Sequence, residues 1–107
     1  MAKRDLGDFD VHVFLATGAA TKANGTDYRA GKRYSLLIFS RQAIGEKPNR
    51  ERAGKGAAAA GWKDLKLERS KRLPSGSTPG DPVLREAFGE ALAEGSAVVA
   101  YKEPVST

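Results

Sequence analysis

FDVHVFL (residues 9–15) and YSLLIF (residues 34–39) are two apolar runs rich in β-branched and aromatic residues, and Asn24-Gly25 lies between them. Such runs read as strands. Asn-Gly is the preferred filling of a two-residue type I′ turn, because both central positions require positive φ. A turn centred on that pair sets Val11 opposite Ile38, Val13 opposite Leu36 and Leu15 opposite Tyr34. Alternation within each run then places Phe9, Val11, Val13 and Leu15 on one face with Tyr34, Leu36 and Ile38. The sequence therefore predicts a long N-terminal β-hairpin whose shared face is the core. Residues 17–32, rich in Gly, Ala, Thr and charge, are expected to form a mobile tip, and residues 1–8 a disordered start.

Working outward, Asn49 is placed to cap a helix over 50–60, with Gly61 at its C-terminal end. Gly54 and Gly56 lie inside this helix, and an inner face of Ala53, Gly56, Ala57 and Ala60 would let it approach a sheet closely. Residues 64–73 alternate, with Leu65, Leu67 and Leu73 on one side and Lys66, Glu68, Ser70 and Arg72 on the other. Asp81 and Pro82 open a second helix, and Gly95 ends it. Its stripe of Leu84, Ala87, Phe88, Ala91 and Leu92 is apolar, while Glu86, Glu90 and Glu94 line the outside. A last strand, 96–102, is apolar on both faces. The expected fold is a single α+β domain over residues 1–107: a two-layer sandwich with a four-stranded, mainly antiparallel sheet, two helices on one face, and the order β-β-α-β-α-β.

Composition narrows function by exclusion. The 107 residues contain no cysteine, so disulfides, thiolate zinc sites and cysteine nucleophiles are ruled out. No apolar run is long enough to span a bilayer and the first residues do not read as a signal peptide, so a cytoplasmic protein is expected. His12 is the only histidine and no metal-ligand spacing surrounds it; its mid-strand position predicts a solvated or interface side chain. Gly54-Lys55-Gly56 lacks the following Ser or Thr of a phosphate loop and falls within a helical run. Ser75, Ser77 and Thr78 precede a helix start, but Asp81 already occupies its anion-attracting end. No nucleophile, base and orienting group stand together, so neither an enzyme nor a cofactor is expected.

Two surfaces remain. Net charge is +5, and residues 41–80 alone hold ten basic and four acidic groups. Lys22, Arg29, Lys32 and Arg33 on the hairpin, Arg50, Arg52 and Lys55 on the first helix, and Lys63, Lys66, Arg69, Lys71 and Arg72 on the third strand would attract phosphate backbones if they converge. Phe14, Leu37, Phe39 and Val98, pointing away from the helices, would form an apolar outer face suited to a homodimer. The expected function is that of a small interaction or accessory module working through protein contacts; the alternative is a nucleic-acid-binding protein that uses the basic arm and the third strand.

Overall fold

A computed structural model describes residues 9–21, 28–74 and 79–104. The elements are β1 (Phe9–Ala20), β2 (Arg33–Ala43), α1 (Arg50–Ala59), β3 (Trp62–Pro74), α2 (Pro82–Glu94) and β4 (Ser96–Pro104). The four strands form one antiparallel sheet in the order β3-β1-β2-β4. The α+β class, the element order and the antiparallel sheet thus agree with the sequence reading.

The placement of the helices does not. Phe14 pairs with Ile38 and Val13 with Phe39, so the numbers of each β1–β2 pair sum to 52. A two-residue turn at Asn24-Gly25 demands 49; that turn itself lies outside the described residues. Because the difference is odd, the faces are recombined. Phe14 and Ala16 share a side with Tyr34, Leu36 and Ile38, whereas Val11 and Val13 share the other with Leu37 and Phe39. Each side is apolar and each attracts its own helix. α1 sets Ala53 and Ala57 onto the Phe14 side, and α2 sets Ala87, Phe88, Ala91 and Leu92 onto the Val11 side. The sheet is therefore the middle of three layers, and the expected two-layer arrangement is corrected. One face of β1 and β2 would otherwise remain bare.

Stretch 17–32 also differs from a mobile tip in its described parts. Residues 17–20 continue β1, and Tyr28 packs edge-on against Tyr34 and Trp62, at ring-centroid distances of 5.0 and 5.1 Å. The Tyr28 hydroxyl donates to Ala100 O on β4 at 3.3 Å, and Arg29 N donates to the Tyr34 hydroxyl at 2.8 Å. The ladder closes where Ala20 N donates to Lys32 O and Gly31 N to Ala20 O, with Gly31 at φ +85°. Residues 1–8 fall outside the described part.

Both helices begin and end where their capping residues predict. Asn49 accepts from Arg52 N at the start of α1, Asp81 accepts from Val83 N and Leu84 N at the start of α2, and Gly61 and Gly95 take positive φ after the two helices. The two glycines inside α1 are not equivalent. A Cβ on Gly56 would lie 3.0 Å from Ser96 Oγ and 3.1 Å from Ser96 Cβ, whereas one on Gly54 would meet nothing within 4 Å. Only Gly56 is explained by close packing against the sheet. Gly54→Ala is expected to raise stability by about 0.5–1 kcal/mol, the helix-propensity difference. Gly56→Ala is expected to gain nothing or to lose stability; urea unfolding of both variants measures the contrast.

Candidate functional site

α2 covers only part of its side of the sheet. Val11, Phe39 and Ala97 are buried in the cluster that α2 forms with the sheet, but Val13, Leu15, Thr17, Ser35 and Leu37 remain half-buried. Their neighbours on the α1 side, Phe14, Ala16 and Leu36, are fully buried. The uncovered part holds a groove of about 520 Å³ lined by Val13, Leu15, Leu37, Leu73, Leu84 and Pro79, with Arg69 and Lys71 along it.

β3 brings Lys66 to join its other cations on this uncovered side by breaking alternation. Strict alternation separates Lys66 from Lys63, Arg69 and Lys71. Two register shifts intervene, one between Leu15 and Ala16 and one between Thr17 and Ala19, each an irregularity of the kind that re-aims side chains. As a result Lys63, Lys66, Arg69 and Lys71 pair with Ala19, Thr17, Leu15 and Val13, four residues on one side of β1. The same shifts send Leu65 and Leu67 to the α1 side and leave Leu73 on the α2 side, which corrects their expected common face. Asp64, in the irregular stretch, has φ +50°, and Gly18 opposite it leaves the space into which Leu65 Cδ2 fits.

Arg33 joins this row from β2. Its Nε donates to Thr17 Oγ1 at 3.0 Å and its Nη2 donates to Asp64 O, so the guanidinium lies across β1 and ties down the irregular backbone. None of the residues paired across this part of β1, β2 and β3 on the α2 side is a carboxylate. The acidic side chains Glu86 and Glu90 line hollows at the opposite edge of the sheet, beside Val98 and Ala100 of β4. The cations paired along β3 thus stand at one edge of the sheet and the α2 carboxylates Glu86 and Glu90 beside the other.

The candidate basic residues fall into separate groups. Arg33, Lys66 and Arg69 converge on the uncovered face together with Lys63 and Lys71, while Arg29 and Lys32 are exposed near the end of the ladder. Lys22 lies outside the described residues, as do Ser75, Ser77 and Thr78. Arg50, Arg52 and Lys55 belong to α1 on the other side. Arg50 Nη1 donates to Leu67 O at 2.8 Å, Arg52 Nη1 donates to Arg41 O at 3.2 Å, and Lys55 Nζ is 4.0 Å from Glu51. Arg72 also points to the α1 side, where its Nη1 donates to Asp10 Oδ2 at 3.2 Å. The expected apolar dimer face does not exist as one surface. Phe14 and Val98 lie on the α1 side, Leu37 and Phe39 on the α2 side, and both phenylalanines are at most 1% exposed, because each side of the sheet has its own helix.

His12 is a further correction. Expected at a solvated or interface position, it is 2% exposed on the α1 side. Neither ring nitrogen has a hydrogen-bond partner among the described residues, and neither does Ser40 Oγ, from the residue directly opposite on β2. Burial pushes the imidazole below its ordinary value of 6.5; Asp10 and Glu46 oppose the shift and Arg72 adds to it. Nearby, Gln42 stitches the connection before α1 to the sheet. Its Nε2 donates to Glu46 Oε1 at 3.1 Å and to Lys47 O at 2.7 Å, and its Oε1 accepts from Asn49 N at 2.9 Å. The bonds from Gln42 and from Ala43 N hold the Glu46 carboxyl below the usual range.

A histidine whose pKa is lowered by folding takes up its proton more readily in the unfolded chain, so its neutral form supports the fold above 6.5 and that support is lost as pH falls from there. Glu46 titrates at lower pH and does not share the window. The parent is expected to lose more unfolding free energy than His12→Leu between about pH 7.5 and about pH 5.5, measured by urea titration at each pH. Comparison of the chain with protein-family models, curated proteins and solved structures finds no match, so the site is interpreted from its own geometry.

Proposed function

We propose that the protein binds nucleic acid across the uncovered part of the sheet, with β3 as the phosphate-contacting strand. The observation that carries this reading is the convergence of Lys63, Lys66, Arg69 and Lys71 on one side of the sheet, where two breaks in strand alternation add Lys66 to the three that alternation already aligns. From Lys63 to Lys71 the strand runs roughly 25 Å at about 3.3 Å per residue, a line of charge suited to a polyanion. Each phosphate neutralised by such a cation releases condensed counterions, which gives affinity without base contacts. The carboxylates at the β4 edge would repel a phosphate backbone and so orient it toward β3.

The other reading is a protein-interaction module; the four residues expected to form its dimer face are divided between the two sides of the sheet, so that face does not support it. The basic face, by contrast, is one surface, since its four cations pair with residues on one side of β1.

Fluorescence anisotropy with a labelled oligonucleotide of about 20 bases tests it. If about four phosphates are neutralised, affinity is expected to fall roughly 50-fold to 150-fold between about 50 and about 200 mM salt. Lys66→Gln/Arg69→Gln/Lys71→Gln is expected to remove most of the binding and to flatten the salt slope. Lys47→Gln/Arg52→Gln/Lys55→Gln, which changes net charge equally but lies away from β3, is expected to leave most of it. Equal losses in the two variants, or no binding at low salt, would refute the proposal.

A further inference from the structure

We infer that the apolar groove beside β3 receives unpaired bases, so that the ligand of the basic face is single-stranded nucleic acid. This rests on the nucleic-acid reading and adds the class of strand. Leu15, Leu37 and Leu73 line the groove, and two of the β3 cations, Arg69 and Lys71, line it as well. An apolar floor and a cationic wall therefore belong to one concavity. At about 520 Å³ it lies within the range of roughly 300–1,000 Å³ usual for small-ligand sites.

Single-strand sites combine cations that track phosphates with side chains, commonly aromatic, that cover base faces; here the cover is the leucine floor of the groove. A duplex keeps its base faces stacked inside, so its phosphates could reach β3 but nothing would fill the groove. Two other occupants fit less well. An anionic amphiphile would use one or two cations for its head group, whereas the row extends from Lys71 through Arg69 and Lys66 to Lys63. A second copy related by a two-fold axis would set the same cations against each other, and like charges brought together oppose association.

The test compares, at one salt concentration, three nucleic-acid ligands of equal length, namely an oligothymidine of about 20 bases, the corresponding duplex and an abasic oligomer with the same number of phosphates as the oligothymidine, together with laurate as a single-charge amphiphile. Binding of the oligothymidine is expected to be at least about 10-fold tighter than that of the duplex or the abasic oligomer, the difference arising from base faces withdrawn from water onto leucine side chains. Leu15→Ser, with its fold verified by thermal unfolding, is expected to bring the oligothymidine down toward the abasic affinity while leaving the abasic affinity unchanged. If all three nucleic-acid ligands bind alike, the basic face still binds nucleic acid but the groove takes no base, and the inference is overturned. If none binds, the nucleic-acid reading fails as well. If Leu15→Ser abolishes laurate binding and leaves the oligothymidine untouched, the groove belongs to an amphiphile; if sedimentation shows a dimer that Leu15→Ser separates, it belongs to a second copy. Either result also overturns the inference.

Discussion

The pairing of Phe14 with Ile38 across β1 and β2 is the constraint on which the other layers depend. Once these two residues face the same way, Val13 and Phe39 must face the other, because successive Cβ atoms alternate across a strand. Both sides of the central pair are then apolar, and an uncovered side would leave phenylalanine and branched aliphatic residues in water. Each fully buried side chain of this type stabilises the fold by about 1.5–3 kcal/mol. That preference accounts for a helix on each side. The small residues of α1, Ala53, Gly56 and Ala57, allow it to lie close, whereas α2 reaches its side with Phe88 and Leu92.

Covering both sides has a polar consequence. Asp10, His12, Ser40 and Gln42 occupy positions on the α1 side near one end of the central strands and are all buried. Asp10 has Arg72, and Gln42 has the connection before α1, but His12 and Ser40 are left without protein partners among the described residues. A buried neutral imidazole is tolerated far better than a buried imidazolium, and its pKa falls accordingly. The same three-layer packing that secures the core thus places a proton-sensitive group inside it.

Local chemistry was legible wherever a single residue determines the outcome. Asn49, Asp81, Pro82, Gly61 and Gly95 mark helix ends because capping and positive φ are properties of the residue itself. The apolar stripe of α2 was equally plain. Register was not, since it follows from a turn of unknown length, and Asn24-Gly25 suggested a pairing that differs by an odd number from the one found. An odd error inverts every face assignment at once. The turn-based register therefore puts the two helices on one side and makes one exposed patch of Phe14 and Phe39, which are core residues on opposite sides. The basic character of the third strand was visible, but the common face of Lys63, Lys66, Arg69 and Lys71 depends on irregularities that alternation cannot reveal.

Those irregularities also bear on why, among the described residues, no element covers this part of the sheet. Had β3 kept its alternation, Leu65 and Leu67 would lie on the same side as Leu73, and the α2 side would present a leucine row in need of burial. The shifts move Leu65 and Leu67 beneath α1 and bring Lys66 to the α2 side among Lys63, Arg69 and Lys71, so this end of the sheet presents no leucine row. Arg33, spanning from Thr17 to Asp64, holds the displaced backbone from the far side of β1. It is both a member of the cationic face and a support for the geometry that creates it. The groove is the apolar remainder between that face and α2, where Leu15 and Leu37 extend past the end of the helix's cover.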